Sequence, residues 1–221
     1  QADSSQNILN KFFVILIFVF LLKEGLAPFK TESLRDFLFG KDWYPISHPP
    51  KFGALSLILG SVWITVGAIL VSVPVGVACA VYIGEVAPSW LRETLKASVE
   101  FLAAIPSIVL GFIGLVTLVP MVQKIFNLPT GLTALSGSLM LGFMAMPTIV
   151  SIMEDALNVV PKSYREGALA LGATRWQMIW RVVIPAASSG VIAAVMLGIG
   201  RVIGETMAVM MITGNAARIP T

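Results

Sequence analysis

Arg201 and Glu205 are the only charged residues in Val182–Ala217, a run of 36 residues. An arginine or a carboxylate at the centre of a bilayer costs roughly 2.5–3.5 kcal/mol even on the lenient insertion scale, so such groups mark transport paths more often than scaffolding. On one helix, residues four apart share a face. Arg201 and Glu205 are therefore expected either to neutralise one another or to point together at a pore. The spacing leaves open a structural ion pair, or one held near the headgroups by snorkelling. Arg201 lies 16 residues beyond Pro185, about 24 Å along a continuous helix and deep in a bilayer if that run tilts or bends at its glycines.

The elements that must position this pair are apolar. The chain has 221 residues, 57% of them hydrophobic and 12% charged, with mean hydropathy +0.88. That composition belongs to an integral membrane protein. Phe52–Gly84, Phe101–Gln123 and Ile125–Met153 contain no Asp, Glu, Lys or Arg, and each exceeds the ~20 residues that span a bilayer as a helix. Val182–Ala217 makes a fourth span. Ile8–Leu22 makes a fifth if Lys11 snorkels or the helix continues through Leu26 and Ala27. It lacks the charged head and small-residue cleavage site of a secretory signal. The first residue is Gln1 rather than Met, so an upstream stretch is expected. The expected fold is all-α, one transmembrane bundle over residues 1–221.

Connections between the spans set the polar ends. Lys23–Lys51 carries five basic and four acidic residues and the turn-rich stretch Trp43–Pro50. His48 within it has no partner at metal-ligand spacing and reads as a loop residue. Glu85–Glu100 reads as a short charged link, Lys124–Gly131 as a tight turn, and Glu154–Arg181 as the longest polar stretch of the second half. Basic residues divide seven against seven between the two sides, so charge bias alone assigns no orientation. The single cysteine, Cys79, excludes an internal disulfide and a cysteine metal cluster, and reads as a small packing residue. A net charge of +3 implies no nucleic-acid partner. Gly200-x-x-x-Gly204 is a small-residue pair overlapping the charged pair, expected to admit a neighbouring backbone beside Arg201.

The polar stretch has internal order. Ser163-Tyr-Arg-Glu166 reads as a capping box opening a helix through Ala168, Leu169 and Leu171. Gly172 reads as its left-handed terminator. Thr174-Arg-Trp-Gln177 reads as a second capping box, opening a helix that leads to Pro185. Two short helices joined by a glycine turn form a protrusion whose Tyr164, Leu171 and Trp176 expose apolar surface. Docking into another protein and an amphipathic pair lying on the membrane both fit.

Glu166-Gly-Ala168, then Gly172, then Val182-Val-Ile-Pro185 resembles the "EAA" loop of ABC importer permeases, with the glutamate–glycine and glycine–proline spacings kept and Gly167 in place of the first alanine. More narrowly, Gly198–Val209 with Ala103–Ile108, Pro147–Ile149 and Glu154–Ala156 is similar to the phosphate-specific importer permeases. The continuation through Gly214 and Asn215 resembles the PstC-type subunit rather than its PstA-type partner. The resemblance runs from Phe37 onward. It implies a cytoplasmic N-terminus, residues 23–51 as an extracytoplasmic loop and residues 154–184 as the cytoplasmic coupling loop. Ser163, Tyr164, Glu166, Gly167, Ala168, Leu171, Gly172, Ala173 and Thr174 would then meet the ATPase. Since that family has six spans, a further helix beyond Arg218 is expected.

The resemblance also supplies partners: a PstA-type permease subunit, an ATP-binding subunit dimer that uses ATP and Mg, an extracytoplasmic phosphate-binding protein, and membrane lipid. No enzymatic site, cofactor or metal is expected in this chain. Its only Gly-Lys, Gly40-Lys41, is followed by Asp42 and makes no phosphate cradle. Arg201 is then expected to grip a phosphate oxyanion by bidentate, charge-assisted bonds, with Glu205 holding the guanidinium when the pore is empty. A sulfate, molybdate or amino-acid importer would share the Gly172 loop without needing the charged pair. A secondary anion transporter would explain the charges without the paired capping boxes. An intramembrane enzyme finds no catalytic pairing at helical spacing.

Overall fold

The computed structural model describes residues 2–26, 29 and 33–214. Packing divides the chain into two units, residues 1–59 and 60–216.

The first unit opens with α1 (Ala2–Gly25). This helix contains the expected span Ile8–Leu22, and its side chains from Phe12 to Leu22 are exposed. Leu26 continues it by one hydrogen bond, from its amide to the Leu22 carbonyl at 2.9 Å; Ala27 lies outside the described residues. A short helix, α2 (Leu34–Phe39), precedes a two-stranded antiparallel hairpin, β1 (Trp43–Tyr44) and β2 (Lys51–Phe52), with Trp43 opposite Phe52. Aromatic rings staple it, with centroids 6.4 Å apart for Phe37–Trp43 and 6.1 Å for Trp43–Phe52. Gly40 and Gly53 let two backbones touch, since a Cβ on Gly40 would stand 2.8 Å from the Gly53 Cα. His48 sits exposed in the hairpin loop.

The second unit is a helical bundle. Among the described residues three helices are long and apolar enough to cross a membrane, and a bent helix pair makes up to four. The first is α3 (Leu55–Val81), whose first five residues belong to the first unit, extended by a π-turn over Tyr82–Val86 to a span of 32 residues. Glu85–Glu100, expected as a link, is largely helical instead: α4 (Ser89–Ala104) is amphipathic and ends where Ile105, held extended before Pro106, cannot continue it. The second span therefore begins at Ser107 rather than Phe101, running as α5 (Ser107–Val116) and α6 (Leu118–Ile125).

The third span, α7 (Ala134–Val159), is the spine. Of its apolar window 61% is buried, against 33% and 28% for the other two spans. Ile149 and Met153, with Leu157 a further turn on, fall on one face at helical spacing and are fully buried. The helix runs to Val159, so Glu154, expected to open a polar loop, sits inside it and is buried. Next come α8 (Lys162–Ala170), α9 (Arg175–Met178), a second π-turn (Ile179–Val183) and α10 (Ile184–Ala186).

The expected continuous fourth span is broken twice. Arg175–Ala186 meets α11 (Ser188–Gly204) at 77° across Ala187. The chain then breaks at Glu205 and Thr206, and α12 (Met207–Thr213) ends at Gly214, whose φ of 75° is left-handed. Glycines set the packing on α7: Gly76 of α3 and Gly198 of α11 both approach Ile149, and Gly190 of α11 approaches Ala156. The expected small-residue pair is not the one used. Among the described residues a Cβ added at Gly200 or Gly204 would meet nothing within 4 Å beyond its own helix, whereas Gly190 and Gly198 approach α7 and Ala194 is buried in the cluster with Met153 and Leu157. The expected helix beyond Arg218 lies outside the described residues.

Candidate functional site

The charged pair comes first. Arg201 lies in the last turn of α11, 13 residues after its first residue, about 20 Å along the axis at 1.5 Å per residue. Its side chain is half-buried, and the buried Nε has no hydrogen-bond partner among the described residues. No ion pair with Glu205 forms among the described residues. The physical reason is the helix end: Glu205 has extended backbone, with φ −82° and ψ 120°, so the pair no longer shares a helical face. The Ala208 amide instead donates to Glu205 Oε1 at 3.4 Å, placing a carboxylate at the start of α12, where free amides favour negative charge. Packing of α12 on α5 depends on Gly111, whose Cβ would lie 2.9 Å from the Ala208 Cα.

The protrusion comes second. Gly172 is left-handed at φ 83°, and the Gly172 and Ala173 amides donate to the Leu169 and Ala168 carbonyls at 3.0 and 3.1 Å. This is the two-bond glycine termination that satisfies the last carbonyls of a helix. The Thr174–Gln177 capping box is complete. The Ser163–Glu166 box is not formed. Pro161 is the residue preceding α8, at φ −59° and ψ 141°, so the helix has already started when Ser163 is reached and its hydroxyl has no cap position to fill. Ser163, Tyr164, Glu166, Gly167, Leu171, Gly172 and Thr174 are exposed, while Ala168 and Ala173 are half-buried. Leu171 is 90% exposed, an unusual cost for a leucine on a water-facing turn. On the helix that follows, Trp176 and Trp180 pack edge to face with ring centroids 5.5 Å apart.

Two long-range ionic contacts carry no sequence signal: one holds the protrusion to the bundle and the other joins α4 to α7. Arg165 on α8 donates from Nη2 to Glu85 Oε1 at 2.6 Å and from Nε to Glu85 Oε2 at 3.1 Å. Its Nη1 and Nη2 also reach the Val160 and Leu157 carbonyls at 2.6 and 2.8 Å. Hydrogen bonding to Glu85 raises the Arg165 pKa further above its ordinary value, against the opposing effect of burial. Lys96 on α4 donates to Glu154 Oε2 at 2.7 Å and to Asp155 Oδ1 at 3.0 Å, while Asn158 donates to Glu154 Oε1 at 2.6 Å. Hydrogen bonding to Glu154 and then Asp155 raises the Lys96 pKa. Glu85 and Arg165 each sit at the edge of an apolar or capped segment, which marks them as boundary charges. Nothing in a separation of 80 residues marks them as partners.

Two recesses flank these ion pairs. A polar one of about 390 Å³ is lined by Glu85, Arg92, Asn158, Lys162 and Arg165. An apolar groove of about 640 Å³ lies between α3, α4 and α7. Cys79, expected as buried packing, is exposed on that groove.

Residues 72–220 match the family described as "Binding-protein-dependent transport system inner membrane component". The chain is 42% identical over 208 residues to "Probable ABC transporter permease protein YqgH" of Bacillus subtilis, covering 93% of this chain and 67% of that one. It is 34% identical over 236 residues to "Phosphate transport system permease protein PstC" of Pasteurella multocida, covering 96% and 73%. The protein of the same description from Mesorhizobium japonicum is 38% identical over 204 residues, covering 84% of this chain and 62% of its own. Among solved structures, one described as an inward-facing conformation of the MetNI methionine ABC transporter superposes with a TM-score of 0.53 at 26% identity. That match covers 69% of this chain and 68% of the other.

Proposed function

Because the chain belongs to the binding-protein-dependent transport system inner membrane component family, we propose that it is the membrane-embedded permease subunit of an ATP-driven importer of inorganic phosphate. The observation that carries the substrate is Arg201: a guanidinium well along an apolar helix, with its Nε buried and unpaired. Such a group stays charged at any depth and matches a tetrahedral oxyanion by geometry. The PstC relatives support phosphate over other oxyanions.

In this reading the N-terminus faces the cytoplasm, residues 23–51 lie outside and the 154–184 segment lies inside. The exposed face around Tyr164, Glu166 and Leu171 seats in a groove on an ATP-binding subunit, one of a pair. ATP with Mg is hydrolysed there and not in this chain. A PstA-type permease completes the conduit, and an extracytoplasmic phosphate-binding protein delivers the anion. Closure of the ATPase pair moves the Gly172 protrusion, and the 77° bend at Ala187 converts that motion into a tilt of α11 and Arg201. Glu205 accepts from the Ala208 amide instead of holding the guanidinium, so Arg201 awaits the anion with no counter-ion among the described residues.

The test is uptake of radiolabelled phosphate by the reconstituted assembly, with sulfate and molybdate as competitors. ATP-dependent uptake that excess phosphate alone suppresses supports the reading. Uptake that continues without any ATPase subunit, or that sulfate or molybdate suppresses as well as phosphate does, contradicts it.

A further inference from the structure

The Arg165 guanidinium joins three elements at one point. Its own helix is α8; Glu85 belongs to the π-turn that ends α3; the Leu157 and Val160 carbonyls close α7. Glu85 and Arg165 side chains are 5% and 20% exposed, so the bidentate pair is largely out of water, where removing one partner leaves the other uncompensated. Neighbouring Tyr164 and Glu166 point outward. One turn on from Arg165, Ala168 packs inward against the core cluster containing Leu157, Ile179 and Val183. Thus α8 has an outer face free for a partner and an inner face bonded to the bundle.

Both π-turns flank this point. Tyr82–Val86 presents Glu85, and Ile179–Val183 packs against α8, with Ile179 and Val183 in the cluster that receives Ala168. Such wide turns weaken the regular helical ladder and recur at functional sites. Along the covalent chain, α8 leads to α11 only through Gly172 and the bend at Ala187. In the other direction α8 follows α7 through Val160 and Pro161 alone; the Arg165 bonds brace that short link and add a direct tie to Glu85 at the end of α3.

We propose that Arg165, through Glu85, is a positioning residue that carries displacement of α8 into α3 and α7, so that the membrane-spanning core moves with the docking helix. This rests on the reading that α8 seats on an ATPase. The pair touches neither the anion nor the outer face of α8. Breaking it therefore leaves docking and ATP hydrolysis in place and loosens α8 from α3, with only the Val160–Pro161 link and the Ala168 contacts left to carry its motion.

The test uses the full assembly in proteoliposomes, with ATP hydrolysis, phosphate uptake and the amount of co-purified ATPase measured together. The variants are Glu85→Gln, which keeps shape and loses charge, and Arg165→Lys, which keeps charge and loses the two-pronged geometry. Both are expected to keep the co-purified ATPase and its hydrolysis within about twofold, while uptake per ATP falls about tenfold, the scale on which residues between coupled sites act. An unchanged ratio, a fall of uptake and hydrolysis together, or loss of the ATPase from both variants overturns the proposal. The wild-type assembly separates the two readings: if it takes up no phosphate with ATP, the importer assignment fails, independently of how the variants compare.

Discussion

Arg201 and Glu205 lie on either side of a helix end: α11 stops at Gly204, and the Glu205 carboxylate accepts a hydrogen bond from the Ala208 amide of α12. The two charges therefore do different work. Glu205 holds the junction between α11 and α12, and Arg201 keeps a buried nitrogen unpaired.

Replacing Glu205 with Ala is expected to destabilise the assembly by about 1 kcal/mol, the usual scale for a lost helix cap. Uptake should fall only in proportion to the folded fraction. Thermal melts of the purified assembly alongside uptake separate this from a direct substrate role, which would lower uptake with no change in melting.

The glycine contacts predict opposite outcomes at two positions separated by a single residue. A Cβ at Gly198 collides with the Ile149 side chain, whereas one at Gly200 meets nothing within 4 Å. Gly198→Ala should cost about 1–3 kcal/mol as overpacking, relieved when Ile149→Ala is added. Gly200→Ala should stay within about 0.5 kcal/mol of the parent or stabilise it. Denaturation of these three variants and of Ile149→Ala alone, against which the relief in the double variant is read, checks both.

The protrusion yields a contrast between neighbouring hydroxyls. Thr174→Ala removes a formed capping box and should cost about 1 kcal/mol. Ser163→Ala removes no cap and should lie within about 0.5 kcal/mol. Gly172→Ala forces a side chain into φ 83°, at about 1–2 kcal/mol. Equal effects at Thr174 and Ser163 would contradict the assigned helix start.

Lys96 makes a pH prediction. Its folded pKa is raised, chiefly by the hydrogen bond to Glu154 and then by that to Asp155. A raised lysine contributes stability that is fully present below its unfolded value, about 10.4, and is lost as pH rises through the folded one. Melting should therefore show no Lys96-dependent change from pH 6 to 9. Lys96→Ala leaves Glu154, 3% exposed, without its cation, at a cost of about 1–3 kcal/mol because the lysine itself is partly solvated. A variant as stable as the parent at pH 7 would contradict this.

What the sequence disclosed follows from range. Apolar runs and the signals of Gly172 and Thr174 are local, and each reappears as a helix or a cap. The Gly198–Val209 and Glu166–Pro185 patterns likewise foretold the family. The ends were less legible. Pro161 pre-empted the Ser163 box, and Ile105-Pro106 moved the start of the second span. Two breaks divided a run whose hydropathy shows no boundary, which separated Arg201 from Glu205. The long-range bonds, Arg165 to Glu85 and Lys96 to Glu154, depend on how α7 packs against α3 and α4, and no spacing encodes that.

The central claim is that the Arg201 guanidinium receives the anion. Its most direct test is phosphate uptake by the reconstituted assembly carrying Arg201→Gln, with the co-purified ATPase measured in the same preparation. Uptake should be abolished while the ATPase remains bound. Uptake at the wild-type rate would contradict it.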